Sequence, residues 1–495
     1  MTNAGIDDET APLAPLEATE VEWTAHHDVV VIGLGCAGAS AALGAHEAGL
    51  DVAVVERAGG GGGASAMSGG LIYLGGGTAT QRAAGFDDTP EAMLTFLGAA
   101  LGVDHDDSRL AAYCADSVAH HDWLVAIGVE FRGAFWPEPG LEPPGDEGLV
   151  YSGGEDTAPF KALAAPAPRG HKPRVRHAGG GRLMENLMAA VDQRQVPVHL
   201  STRVERLVVD ATGRVVGVTA RCGSEHLAIR AERGVVLAAG GFVFNDPMVD
   251  RYVPQANRVS YKLGTDGDDG WAIRSGQGVG AALANMDQAE VALPITPPRR
   301  MVRGVIVDGA GRRFINEDAY YGRVGHRALF DADGVAYLIV DEPRYEVNRV
   351  GLQATWVCST YEELETEIGL PAGSLVATMA AYNAAAADGH DPELGKDPEW
   401  VVPLTEGPFG AFDLRVESTI YASFTLGGLV TDLDGRVLDA NGGAVPGLFA
   451  AGRTTASLAR TGYASGMSLG EGTYFGRRAG LAVAAGGEGT APHRT

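Results

Sequence analysis

The sharpest chemical signal in the chain is Gly33-Leu34-Gly35-Cys36-Ala37-Gly38. It follows an apolar run, Asp28-Val29-Val30-Val31-Ile32, that reads as a buried parallel strand, and it opens a stretch of helical character over 37–49. In such a strand, turn and helix, the first glycine makes the tight turn and the second lets the backbone approach a pyrophosphate. The third lets helix and strand pack closely. Unpaired N–H groups and the positive helix end then face the phosphates. A second strand over 51–56 ends in Glu56, where a carboxylate can accept the hydroxyls of an adenosine ribose and would repel a 2′-phosphate. A surface glycine turn would not require strand, turn, helix, strand and acid in this order, so a dinucleotide is expected here. A similar pattern at 276–280 follows no strand and reads as a helix end.

Four further segments offer backbone for a ribityl chain and a ring. They are Gly59 to Gly63 running into Ala64-Ser65-Ala66-Met67-Ser68-Gly69-Gly70, a strand end at 238–241, a helix start at Asp269-Gly270, and a strand end at 447–452. In this order, over 27–482, they resemble the flavoproteins of the succinate dehydrogenase and fumarate reductase superfamily. The resemblance implies FAD and an α/β fold: a discontinuous Rossmann-type FAD-binding domain over 27–289 and 421–495, with an inserted α+β cap (catalytic) domain over 290–420. It implies FAD contacts from Gly33, Gly35, Ala37, Gly38, Glu56, Ser65, Met67, Ser68, Gly69, Gly70, Val204, Ala238, Gly240, Asp269 and Gly452. Members with covalent flavin carry a histidine where this chain has Gly63, so the expected FAD is non-covalent.

At the ring the chain departs from the dicarboxylate enzymes of that superfamily. The cap segment reads Asn316-Glu317-Asp318-Ala319-Tyr320-Tyr321-Gly322-Arg323, and the C-terminal segment Thr461-Gly462-Tyr463-Ala464-Ser465-Gly466-Met467-Ser468-Leu469 lacks the family's His and Arg. A pocket of phenols and a hydroxyl suits a neutral ketone better than a dianion, which could not be desolvated there unpaired. This pairing resembles the 3-ketosteroid dehydrogenases, most closely those of the Δ4-(5α) type. The resemblance implies loss of a proton at C4 and a hydride at C5 of a 3-oxo-5α-steroid. Tyr463 would donate to the C3 oxygen, Ser465 would take the C4 proton, and Tyr320 would relay it. Ser468 and Leu469, at a helix start, would steady the pyrimidine end of the ring. Two alternatives stay open. One is a Δ1-dehydrogenase or a related enone reductase on the same fold; the other is an FAD subunit that only relays electrons.

The elements that must position these groups are legible in part. Short alternating runs over 203–210, 214–220 and 227–231 form an antiparallel insert before an apolar strand at 235. Proline-rich stretches at 137–144 and 294–298 read as boundaries or exposed loops, and residues 1–26 as a mobile leader outside the fold. His171 and His177, in a loop rich in Pro, Arg and Gly, could line the entrance but read rather as solvated, and Cys36, Cys114, Cys222 and Cys358 as small apolar fillers without disulfide or metal spacing. The formal charge of −25 disfavours nucleic acid and anionic lipid as partners. No apolar run is long enough to cross a membrane and the N-terminus lacks a signal-peptide pattern, so a cytoplasmic location is expected, with a small-molecule substrate and an unidentified external electron acceptor.

Overall fold

The computed structural model describes residues 8–102, 107–138, 143–293, 299–347 and 351–485. In chain order, the elements around the site begin with β1 (Leu16–Glu17), β2 (Ala25–Ile32), α1 (Cys36–Glu47), β3 (Val52–Val55), β4 (Val198–His199), β5 (Thr202–Val209), β6 (Val215–Cys222) and β7 (Glu225–Leu237). They continue with β8 (Ala289–Ala292), α2 (Tyr321–Phe330), β9 (Ala422–Thr425), β10 (Ala444–Ala450) and α3 (Met467–Ala484).

The main sheet has nine strands, in the order β1, β5, β6, β7, β2, β3, β4, with β10 also pairing to β7 and Arg436–Leu438 to β10. Its valine runs are continuous because both faces are covered. Val29, Val31, Val52 and Val54 point into the core beneath α1, while Val30, Ile32 and Val55 point into a second core on the opposite face. The last of the alternating runs and the apolar strand after it are one strand, β7. Its first half pairs antiparallel with β6, and Val235–Leu237 pair in parallel with β10. The register slips between Ala231 and Gly234 against β2, where the strand passes from insert to core.

The leader expected over 1–26 is corrected for its described part. Leu16 and Glu17 pair in parallel with Val208 and Val209, and Leu13 N–H donates to Arg274 O at 2.9 Å. The edge of β5 offers unpaired backbone groups that this segment satisfies, a long-range reward invisible in its composition. Residues 1–7 lie outside the described residues, as do 294–298 and 139–142 of the two proline-rich stretches.

Between β8 and β9 the chain builds a separate antiparallel sheet in the order Val305–Val307, Tyr337–Asp341, Phe409–Asp413, Trp356–Cys358, backed by helices Tyr361–Ile368 and Ser374–Ala386. Its first loop is fixed by buried Arg313, which bonds to Glu317 and Asp391, and by Lys396, 3.2 Å from Glu317. The outgoing and returning strands, β8 and β9, pair with each other, Glu290 opposite Phe424. That pairing closes the base of the inserted segment. No helix among the described residues is long and apolar enough to cross a membrane.

Candidate active site

Two helix starts converge on one cavity because α1 and α3 pack backbone to backbone. A Cβ on Gly480 would stand 2.1 Å from Ala41 O, and one on Gly476 2.4 Å from Ala37 O, so only glycine permits this approach. The cavity between them measures about 590 Å³. At its nucleotide end Gly33 turns with φ +99°, and a Cβ there would strike Ala238 O at 2.4 Å. Gly35 opens toward the cavity, its nearest neighbour Ser65 Oγ at 3.4 Å. Glu56 accepts Leu34 N–H and Ala58 N–H, each at 2.8 Å, which leaves carboxylate lone pairs for a sugar diol. Asp268, buried, accepts Gly241 N–H at 2.8 Å and pairs with Arg453 at 3.0 Å, tying the 238–241 turn to the one at Gly452. A glycine turn at a helix start, with a carboxylate ending the next strand, is the arrangement a flavin dinucleotide needs.

At the other end stand Tyr463, Ser465, Tyr320, Tyr321 and Glu290. Gly466 takes φ +105°, where a Cβ would meet Tyr73 N at 2.7 Å, and this turn holds Ser465 at the cavity wall while starting α3. Tyr463 is 8% exposed; its hydroxyl accepts Ser468 N–H at 2.9 Å and lies 3.0 Å from Ser468 Oγ. Burial drives its acidity down, so the phenol stays protonated, a neutral donor. Tyr320 closes the first turn of α2 from outside, ring centroid 4.4 Å from that of Tyr321, and its hydroxyl donates to Glu290 Oε1 at 3.4 Å. Its acidity too is suppressed by burial. Every cation on the cavity wall among the described residues is already paired: Arg57 and Arg203 with Asp269, at 3.0 and 3.7 Å, and Arg453 with Asp268.

The family model for the FAD binding domain matches residues 28–469. The solved structure of a 3-ketosteroid Δ4-(5α)-dehydrogenase from Rhodococcus jostii RHA1, in complex with 4-androstene-3,17-dione, matches with TM-score 0.91 and 47% identity, covering 95% of this chain and 100% of that one. This chain belongs to the family of FAD-binding flavoproteins that includes the 3-ketosteroid Δ4-(5α)-dehydrogenases. It is an FAD-dependent oxidoreductase. The 3-oxo-5-alpha-steroid 4-dehydrogenase of Comamonas testosteroni is 28% identical, over 88% of this chain and 94% of that protein. A 3-ketosteroid Δ1-dehydrogenase from Sterolibacterium denitrificans shares the fold at TM-score 0.71 and 25% identity, over 93% of this chain and 100% of that one.

Within this flavoprotein frame, Gly33, Gly35, Ala37, Glu56, Ser65, Met67, Ser68, Gly69, Gly70, Val204, Ala238, Gly240, Asp269, Gly452, Ser468 and Leu469 all line the cavity, together with Tyr320, Tyr463 and Ser465. Gly38 is not on the cavity wall: a Cβ there would be 1.9 Å from Gly33 O, so it packs α1 closely behind the turn. Met67 stands at the rim, 63% exposed, at the end of a short helix, Gly63–Met67. Ser468 and Leu469 both line the cavity, and the Ser468 N–H donates to the Tyr463 hydroxyl at 2.9 Å. His171, expected in solvent, is fully buried; its ring nitrogens hydrogen-bond with Thr78 Oγ1 at 2.8 Å and Arg169 O at 3.0 Å, away from the cavity. Sequence reasoning missed Glu290. The one available signal was an acid inside the apolar run Ala289-Glu290-Val291-Ala292.

Proposed function

We propose that this enzyme takes a proton from C4 and a hydride from C5 of a 3-oxo-5α-steroid, giving the 3-oxo-4-ene. The observation that carries this reading is the reactive end of the cavity. It presents hydroxyls of Tyr463, Ser465 and Tyr320, and the described wall has no cation left over to clamp a dicarboxylate. A flat neutral ketone can be desolvated there at little cost.

FAD, when bound, supplies the acceptor for the hydride. The chain's own residues handle the proton. Tyr463, kept neutral by burial and oriented by Ser468, donates to the C3 oxygen as negative charge develops there. Ser465, held at the wall by Gly466, accepts the C4 proton while passing its own to Tyr320. We also propose a cytoplasmic location, where a reducing environment suits the free cysteines.

Anaerobic mixing of the yellow holoenzyme with 5α-androstane-3,17-dione should bleach the flavin and yield 4-androstene-3,17-dione. Bleaching by the 4-ene instead, with a 1,4-diene as product, would establish the Δ1 reaction. If neither steroid bleaches the flavin, the substrate class is wrong.

A further inference from the structure

Glu290 sits on β8 with 3% of its surface exposed, and it lines the reactive end of the cavity. Space has been made for its carboxyl: a Cβ on Gly322 would stand 2.3 Å from Glu290 Oε1. Among the described residues no lysine or arginine pairs with it. The charged and titratable groups on the elements packed around it are engaged elsewhere. On α2, Arg323 stacks over Phe160, His326 over Phe330, and Arg327 pairs with Asp331. Across the small sheet, Lys262 pairs with Asp246, and Arg453 lies over Phe424 while pairing with Asp268. What faces Glu290 is phenol: Tyr320 by its hydrogen bond of 3.4 Å, with Tyr321 interacting with Tyr320 at 4.4 Å between ring centroids, and Tyr463, whose hydroxyl the Glu290 charge makes less acidic.

We propose that Glu290 is the terminal proton acceptor of the site, taking through the Tyr320 hydroxyl the proton that leaves the steroid. This rests on the dehydrogenase reading above. The C4–H bond breaks with its electron pair moving into the new C4–C5 double bond as the hydride departs from C5. The proton goes to Ser465, whose own proton goes to Tyr320, whose own proton goes to the Glu290 carboxylate. Both hydroxyls end as they began, and one proton rests on Glu290. A buried carboxylate without a cation gains by becoming neutral, so the relay runs downhill toward it. Burial lifts the Glu290 carboxyl to about 8, close to where a proton acceptor works best. The Tyr320–Glu290 contact of 3.4 Å is at the long end of hydrogen-bonding range. Tyr320 also borders a second cavity of about 180 Å³ that holds Asp156, but no described hydrogen bond joins the two.

Because Glu290 must begin as carboxylate, wild-type turnover should rise with pH through about 8. Glu290→Gln should remove that limb and slow turnover by about 10²-fold, the ordinary size of one proton-transfer group. Product binding, read as perturbation of the flavin spectrum by 4-androstene-3,17-dione, should persist. Tyr320→Phe should lose the same limb, and the double variant should be no slower than the slower single variant, since both break one relay. In a single anaerobic turnover, the infrared difference spectrum of the wild-type holoenzyme should gain a protonated-carboxyl band that Glu290→Gln lacks. A Gln variant that keeps the limb, a band that survives the substitution, or single-variant losses that multiply would overturn the proposal. So would a limb that disappears in Asp156→Asn instead. If neither steroid bleaches the wild-type flavin, the dehydrogenase reading fails first and on wild-type protein alone.

Discussion

Tyr463, the proposed donor to the substrate's C3 oxygen, accepts Ser468 N–H at the helix start behind it. Removing its hydroxyl in Tyr463→Phe takes away one oxyanion donor, so turnover should fall by about 10²–10³. It also strands the Ser468 N–H, which should cost about 1–3 kcal/mol and lower the melting temperature while FAD and product still bind. Stopped-flow reduction and thermal denaturation read the two effects separately. Ser465→Ala loses only the proton acceptor: flavin reduction should stop, the product's spectral perturbation should remain, and retained reduction at the wild-type rate would remove Ser465 from the mechanism. Glu290 carries a stability signature independent of turnover. Its folded value of about 8 lies above the ordinary 4.5, so its contribution is fully present below 4.5 and is lost as pH rises through about 8. Glu290→Gln should therefore be more stable than wild type in alkaline denaturation, with the difference growing through that window. At this scale the motif residues were legible because glycines and Glu56 act through local backbone. Glu290 was not, since an acid in a strand says nothing about which phenol will face it.

The helix pair α1 and α3 sets the site by close approach. Gly480→Ala would force a Cβ to 2.1 Å from Ala41 O, separating the two helix starts. Overpacking of this kind costs about 1–3 kcal/mol; lower melting temperature and faster FAD loss on dialysis are the expected readings, and an unchanged melting temperature would mean the helices can shift freely. Glu56 is a second such joint. Besides any ribose contact, it accepts Leu34 N–H inside the glycine turn and Ala58 N–H after β3. Glu56→Ala should weaken FAD binding by about 1.5–3 kcal/mol, on the order of 10- to 100-fold, and should also destabilise the turn, seen as a lower melting temperature of the apoprotein. Strand β7 shows why periodicity failed here: its halves answer to different neighbours, β6 and then β10, so one strand reads as two patterns.

For the whole molecule, acid precipitation should release all FAD into the supernatant, because Gly63 offers no nucleophile for attachment; flavin in the pellet would refute it. The strand, turn and helix around Gly33, the order of the flavin-facing segments, and the tyrosine and serine pattern near 320 and 463 were determined by sequence alone. Each depends on neighbours a few residues apart, or on residue types whose chemistry is intrinsic. The pairing of β1 with β5, the burial of His171, the bonding of Ser468 to Tyr463, and the seating of Glu290 against Tyr320 were decided only by tertiary structure. These join residues separated by as few as five and as many as 192 positions along the chain, the latter from Leu16 to Val208. Burial and hydrogen bonding are won only when the chain closes such loops, and no local pattern records which partners will meet.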